Sequence, residues 1–272
     1  SRTPISIGVE LFGEAALSAD IEVIELFLQT LKTAGVNQVH LDLGHVDIFR
    51  GLLAESNLNE ESESQLFELL QRKASAELRD WINLNISDPK LGGWLNALPN
   101  LAGSIEVLNA AKKALKGAPI AVMQAINELE KTAEAIAKAG VSIHIDLGEL
   151  PGYHYHTGIV FAGYVQGYGK ALGNGGRYDH VGEAFGRARP ATGFAFDLKS
   201  LVSQSQRSGS VVVGIFVPYT SDAECHHQVA ILRSQGNRVV QGFQDQIVDL
   251  VELKCDRQLI KVDGQYVIKS IT

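Results

Sequence analysis

Leu150-Pro151-Gly152-Tyr153-His154-Tyr155-His156-Thr157-Gly158-Ile159-Val160-Phe161 is the stretch on which the reading of the fold turns. The alternation from Tyr153 to Tyr164 reads as a strand, which sends the two histidines to one face and two tyrosines to the other. Three readings of that face stand open. One is a metal site completed by His144 or Asp146 from the preceding ValSerIleHisIleAspLeu strand. A second is polar aromatic packing. The third is a small-ligand pocket, in which ring walls and imidazole nitrogens fix an orientation.

Working outward, glycine is dense between Gly158 and Gly193, where tight turns and close backbone approaches are expected. Within it, GlyAsnGlyGlyArgTyrAsp (173–179) reads as a turn whose arginine could cradle an anion. It lacks the lysine-serine ending of a phosphate loop, so nucleotide binding of that kind is not expected. Gly193–Leu201 carries a strand-to-helix signal. Toward the N-terminus, residues 5–12 alternate as a strand does and end at Gly13. A helix through about Ala34 follows, with Ser18 or Asp20 as its cap and Ile21, Ile24, Leu28 and Leu31 on one stripe. Gly35 closes it, and Gln38–Leu43 reads as another strand. Residues 45–138 read mainly as helices, divided by turn signals at Asp88-Pro89, Gly92-Gly93, Leu98-Pro99 and Gly117–Pro119. Gly140 suits a left-handed cap. Ser203–Ser210 is a polar linker. Beyond it come strand Val211–Val217, helix Asp222–Gln235, strand Arg238–Gln241 and a hairpin around Asp263-Gly264.

Composition bounds what such a chain can be. Of 272 residues, 45% are hydrophobic and 20% charged, which excludes disorder across the whole chain. No apolar run approaches the length of a membrane span, so no membrane partner is expected. The opening SRTPISIGVE lacks the charged-then-apolar layout of a signal peptide. With 24 Lys and Arg against 31 Asp and Glu, the formal charge is −7, which argues against nucleic acid as a partner. Cys225 and Cys255 are too few for a disulfide framework or a cysteine-only metal site, and a reduced, cytoplasmic location is expected. Met123 is the only methionine, so a segment ahead of Ser1 is expected. Composition and pattern alone reach an α+β chain with a helical insertion, a small tail and a ligand pocket.

Three stretches, in order, resemble the histidyl-tRNA synthetase family, a class II synthetase. SerIleGlyValGluLeuPheGly (6–13) with SerAlaAspIleGluVal (18–23) looks like the end of motif 2 and the helix behind it. Residues 150–161 resemble the histidine-binding signature, usually Arg-Gly-Leu-Asp-Tyr-Tyr-Thr-Gly-x-Val-Phe. GlyGlyArgTyrAsp (175–179) and AlaThrGlyPheAlaPheAspLeuLysSerLeu (191–201) look like the closing motif 3 region. The resemblance implies a class II aminoacyl-tRNA synthetase-like antiparallel sheet formed by 1–44 and 141–202. It further implies a helical insertion over 45–140 and a small α/β C-terminal domain over 209–272. Motif 1 and early motif 2 would precede residue 1.

The departures from the family pattern bear on function. Pro151 stands where the synthetase has a catalytic arginine, and it offers no guanidinium for the charge developing at the reacting carboxylate and phosphate. Ser200 stands where the ATP-clamping arginine would be, Ser6 where a glutamine helps hold the amino acid, and His154-Tyr155-His156 where Asp-Tyr-Tyr is usual. The tail is short and not basic. This pattern is similar to the non-catalytic paralogues of the synthetase, the regulatory subunits of ATP phosphoribosyltransferase. That resemblance implies a non-catalytic chain without a cofactor, which dimerises and joins a short-form catalytic subunit in a hetero-octamer. It would activate the first step of histidine biosynthesis and carry L-histidine feedback inhibition. A histidine-binding paralogue with another partner, or an active synthetase, are the alternatives. By the same resemblance, Glu10 orients the histidine side chain, Tyr155 and His156 meet its ring, and Gly175, Gly176 and Tyr178 form the pocket wall. Arg177 would hold the ligand carboxylate or, equally, an ion pair within the fold.

Overall fold

The computed structural model describes residues 4–54, 56, 58–148, 152–153, 155–207 and 213–271, and the chain divides into two compact units, Ser1–Arg207 and Ser208–Thr272. The first unit opens with β1 (Ser6–Phe12), α1 (Leu17–Thr33) and β2 (Val39–His45). A helical stretch follows: α2 (Val46–Leu53), α3 (Glu60–Gln71), α4 (Ser75–Asn85), α5 (Pro89–Ala97), the two-residue β3 (Ala102–Gly103), α6 (Val107–Ala114) and α7 (Ile120–Ala137). It closes with β4 (Ser142–Asp146), β5 (Ile159–Val165), β6 (Gly173–Arg177), β7 (Ala191–Asp197) and α8 (Leu198–Gln204). The strands form one sheet in the order β1-β7-β6-β5-β2-β4-β3, in which only the β2–β4 pair is parallel.

One face of this sheet is closed by α1 and α7. Phe27 of α1 is fully buried and stacks on Phe196 at 4.6 Å, with Phe161 and Phe194 edge-on at 5.3 and 5.4 Å. Edge-on and offset rings place positive edges on negative faces, which adds to the area they remove from water. The expected α1 stripe is rotated: Ile24 and Leu31 are buried, but Phe27 fills the centre while Ile21 and Leu28 are half-buried. Neither Ser18 nor Asp20 caps α1, because its N-cap is Ala16 and Asp20 turns inward to an arginine. Gly140, at φ +71°, ends the α7 region as a left-handed cap.

Three local expectations are corrected. Gly92-Gly93 lies inside α5, where Gly92 lets the helix approach Ile82 of α4: a Cβ there would sit 3.1 Å from its Cγ2. Residues 152–153 and 155–158 are not strand: the N–H groups of Tyr155 and His156 both donate to the Gly152 carbonyl at 2.8 and 2.9 Å. The strand begins only at Ile159. Conversely, 173–177 is not a turn but the interior strand β6, and its glycines let β5 and β7 close in: a Cβ on Gly175 would lie 2.6 Å from the Phe161 ring and overlap the Gly193 carbonyl.

The second unit holds β8 (Gly214–Val217), α9 (Ala223–Ser234), β9 (Val239–Gln241), β10 (Cys255–Val262) and β11 (Gln265–Ser270), in the sheet order β11-β10-β8-β9. Asp263 and Gly264 both take positive φ in the two-residue β10–β11 connection, as a tight hairpin turn demands. Its core is small: Ile215, Val217, Cys225, Val229 and Leu259. Fold class is thus α+β, a class II synthetase-like antiparallel sheet with helical insertions plus a small α/β unit. Among the described residues no helix is long and apolar enough to cross a membrane.

Candidate functional site

On the sheet face opposite α1 and α7, strand register lines up a floor that is exposed at Gly8, Glu10, Asn174 and Ala195 and buried at Gly44, Val160, Gly176 and Gly193. Glu10 pairs with Gly193, Gly193 with Gly176, Gly176 with Val160, and Val160 with Gly44, so one row crosses five strands with glycine at three places. The next row on the same face is Gly8, Ala195, Asn174, Ala162 and Asp42. Side chains alternate between faces, so residues directly opposite one another share a face. The result is a trench floored largely by small residues.

Two polar side chains occupy its floor. The Glu10 carboxylate lies over Gly193, where any Cβ would overlap its Oε2, and the His156 imidazole lies over Gly176, where a Cβ would be 2.9 Å from Nδ1. They therefore hang above neighbouring strands, about 5 Å apart in the sheet. Burial pushes the Glu10 carboxyl above its ordinary value. His156 is buried, and its Nδ1–H donates to the Arg177 carbonyl at 3.2 Å, which leaves Nε2 as an acceptor. Loss of water around the ring pushes its pKa down and keeps it neutral. Tyr155, half exposed, stacks on buried Tyr178 at 5.0 Å and meets His156 edge-on at 5.1 Å. Burial first, then the Glu10 charge, raises the Tyr155 hydroxyl, which stays a donor. A ligand carrying a flat ring with an N–H would find the Tyr155 ring as a wall and the Glu10 carboxylate as an acceptor.

Of the residues singled out from sequence, Glu10, Tyr155, His156, Gly176 and Tyr178 come together on this face. Gly175 and Arg177 do not. Gly175 points into the Phe161–Phe194 core. Arg177 is buried on the helix side, where Nε donates to both Asp20 oxygens at 3.1 and 3.0 Å and NH2 to Asp20 Oδ2 at 2.8 Å. Its remaining N–H groups go to Asp179 and to the carbonyls of Glu14 and Ala16. Every guanidinium N–H thus has a partner inside the fold, and the ion-pair alternative is the one the geometry supports. Ser200 is likewise committed: it accepts from the Tyr168 hydroxyl at 2.7 Å, and its N–H caps α8 through Asp197. Pro151 and His154 lie outside the described residues. Among the described residues, no three His, Cys, Asp or Glu side chains stand close enough to hold a metal ion. Gly44, Gly193 and Ala162 were missed as floor residues. Alternation along each strand put them on this face, but only the register between strands lines them up.

An open antiparallel sheet with this trench defines a class II synthetase-like protein, and the histidyl-tRNA synthetase family model matches residues 1–201. The model of the ATP phosphoribosyltransferase subunit HisZ C-terminal domain matches residues 212–269. The chain belongs to the family of ATP phosphoribosyltransferase regulatory subunits, a non-catalytic branch of that fold. It is 47% identical over 272 residues to the ATP phosphoribosyltransferase regulatory subunit of Chromohalobacter salexigens, covering 99% of this chain and 69% of that one. It is 49% identical over 268 residues to that of Pseudomonas savastanoi pv. phaseolicola, covering 96% and 67%. A crystal structure of an ATP phosphoribosyltransferase regulatory subunit/histidyl-tRNA synthetase from Bacillus halodurans superposes with a TM-score of 0.72 at 26% identity, over 91% of this chain and 65% of that one. The chain thus spans about two thirds of the length of its relatives.

Proposed function

We propose that this chain binds free L-histidine in the trench and passes inhibition to a short-form ATP phosphoribosyltransferase catalytic subunit, which it also activates. The carrying observation is the Glu10 carboxylate laid over Gly193 and facing the Tyr155–Tyr178 stack. An imidazole N–H pointed at Glu10 would satisfy a partly desolvated carboxylate, and the tyrosine pair would flank the ring. The commitment of Arg177 and Ser200 to the fold supports a binding rather than an activating role, because amino-acid activation needs free cationic groups at the reacting phosphate. Regulatory dimers holding catalytic dimers in a hetero-octamer, in the cytoplasm and at the head of histidine biosynthesis, is the assembly this reading implies.

Isothermal calorimetry with the full-length regulatory subunit tests it. Glu10→Gln keeps the shape and removes the charge. One charge-assisted hydrogen bond is worth about 1.5–3 kcal/mol, so histidine affinity should fall roughly tenfold to a hundredfold. Unchanged affinity in Glu10→Gln and in Tyr155→Ala would place the effector elsewhere.

A further inference from the structure

We infer that Tyr153 is a positioning residue that ties the histidine trench to helix α3, so that occupancy of the trench is felt by the helical stretch between β2 and β4. This rests on the trench being the histidine site. Tyr153 and Tyr155 leave the same turn in different directions. Gly152, at φ +69°, begins it, and its carbonyl accepts from the N–H groups of both Tyr155 and His156. Tyr155 stands at the trench. Tyr153 is 4% exposed and enters the helical stretch, where its ring joins Phe49 of α2 at 5.2 Å and Phe67 of α3 at 5.0 Å in a three-ring cluster, the two phenylalanines lying 6.2 Å apart.

That cluster is polar at both ends. The Tyr153 hydroxyl donates to Glu63 of α3 at 2.6 Å, and Arg50 of α2 donates to the Tyr153 carbonyl at 2.6 Å with its guanidinium 5.0 Å from the ring centre. Burial and the Glu63 carboxylate both push the hydroxyl pKa up, so it remains a donor. The far end of α3 holds the same region a second time. Gln71 donates to the Gly148 carbonyl at 3.1 Å, and Lys73 donates to Asp146 Oδ2 at 2.6 Å. Asp146 Oδ1 in turn accepts from the Gly148 N–H at 2.8 Å. Glu63 and Gln71 of α3 and Lys73 just beyond it thus hold Tyr153, the Gly148 carbonyl and Asp146 of β4.

A ring lodged against Tyr155 restricts it, and the Gly152 carbonyl that holds the Tyr155 N–H belongs to the residue next to Tyr153. A close-packed cluster of three rings and a carboxylate has discrete arrangements rather than a soft continuum. Histidine, by favouring one arrangement of the turn, favours one arrangement of α3. The coupling equals the difference in histidine affinity for the two.

The test uses the full-length regulatory subunit, with Tyr153→Phe to remove the hydroxyl and keep the ring, and Glu63→Gln to remove the charge and keep the shape. Amide hydrogen exchange is followed with and without saturating histidine, and α7 serves as the internal reference. In the wild type, histidine should slow exchange in α3 by about fivefold or more. In both variants that difference should vanish while calorimetric affinity stays within about threefold. A merely structural hydroxyl would instead speed exchange in α3 equally with and without ligand, and that result overturns the inference. Wild-type α3 exchange indifferent to bound histidine overturns it as well. If calorimetry shows no histidine binding, or binding that Glu10→Gln leaves intact, the trench reading itself has failed and takes this inference with it.

Discussion

Glu10 carries a charge that the fold partly strips of water. Its carboxylate loses part of its water above Gly193, and its pKa rises from the ordinary 4.5 for that reason. A carboxyl whose folded pKa lies above its unfolded value costs nothing below the unfolded pKa, where both states are protonated. It destabilises the fold as pH climbs through the folded pKa. Glu10→Gln should therefore be more stable than the wild type near pH 7 and indistinguishable from it near about pH 4. Thermal melts of the ligand-free proteins across that interval check this. A Glu10→Gln protein less stable than the wild type at neutral pH would mean that the carboxylate is held by a favourable partner in the free state. Arg177 shows the opposite economy. Its charge is buried with Asp20 and Asp179 and directed away from the trench, so its contribution is to hold α1 against β6.

At the scale of elements, β6 decides the site. Its glycines serve two faces at once: Gly173 and Gly175 admit the phenylalanine core, while Gly176 admits the His156 ring. A methyl group on Gly175 would meet backbone on one side and the Phe161 and Phe194 side chains on the other, none of which can rotate away. Gly175→Ala should cost about 1–3 kcal/mol in chemical denaturation, the usual price of overpacking. A neutral result would show that β6 and β7 can separate without loss.

The same strand marks the boundary of what the sequence discloses. Amphipathic helices, the Asp88-Pro89 start of α5, the Gly140 cap and the Asp263-Gly264 hairpin were legible, because each is fixed by residues within a turn of one another. So were Glu10, Tyr155, His156 and Tyr178 as a group, through family resemblance. The glycine run of β6 was read as a turn, because turns and tightly packed interior strands both select glycine, and only the neighbouring strands tell them apart. The role of Arg177 was undecided for a similar reason: Asp20 lies 157 positions away, and no local pattern announces it. Tyr153 reads as a strand residue because alternation runs from Tyr153 to Tyr164, while the Gly152 carbonyl that holds the N–H groups of Tyr155 and His156 leaves no trace in the pattern.

At the scale of the whole molecule, the residues of the trench all belong to the first unit, and so do Trp81 and Trp94. The second unit rests on a handful of buried side chains around Leu259, which is 3% exposed. Leu259→Ala should cost that unit about 2–5 kcal/mol through lost burial and the cavity left behind. Circular dichroism should then report an earlier transition, while tryptophan fluorescence and histidine affinity stay at their wild-type values. A shared loss of both would show that the units stand or fall together.

The pairing of β1 with β7 has a consequence in time. Ser6 finds Asp197 and Glu10 finds Gly193, so the trench joins strands from opposite ends of the first unit. A ribosome adding about 5–20 residues each second needs roughly ten to forty seconds between making one wall and making the other. The entropy of closing so long a loop must also be overcome before β1 settles. Through that interval Glu10 has no glycine beneath it. Until β7 settles beside β1, a newly made chain lacks the paired strands on which Glu10 and Gly193 meet.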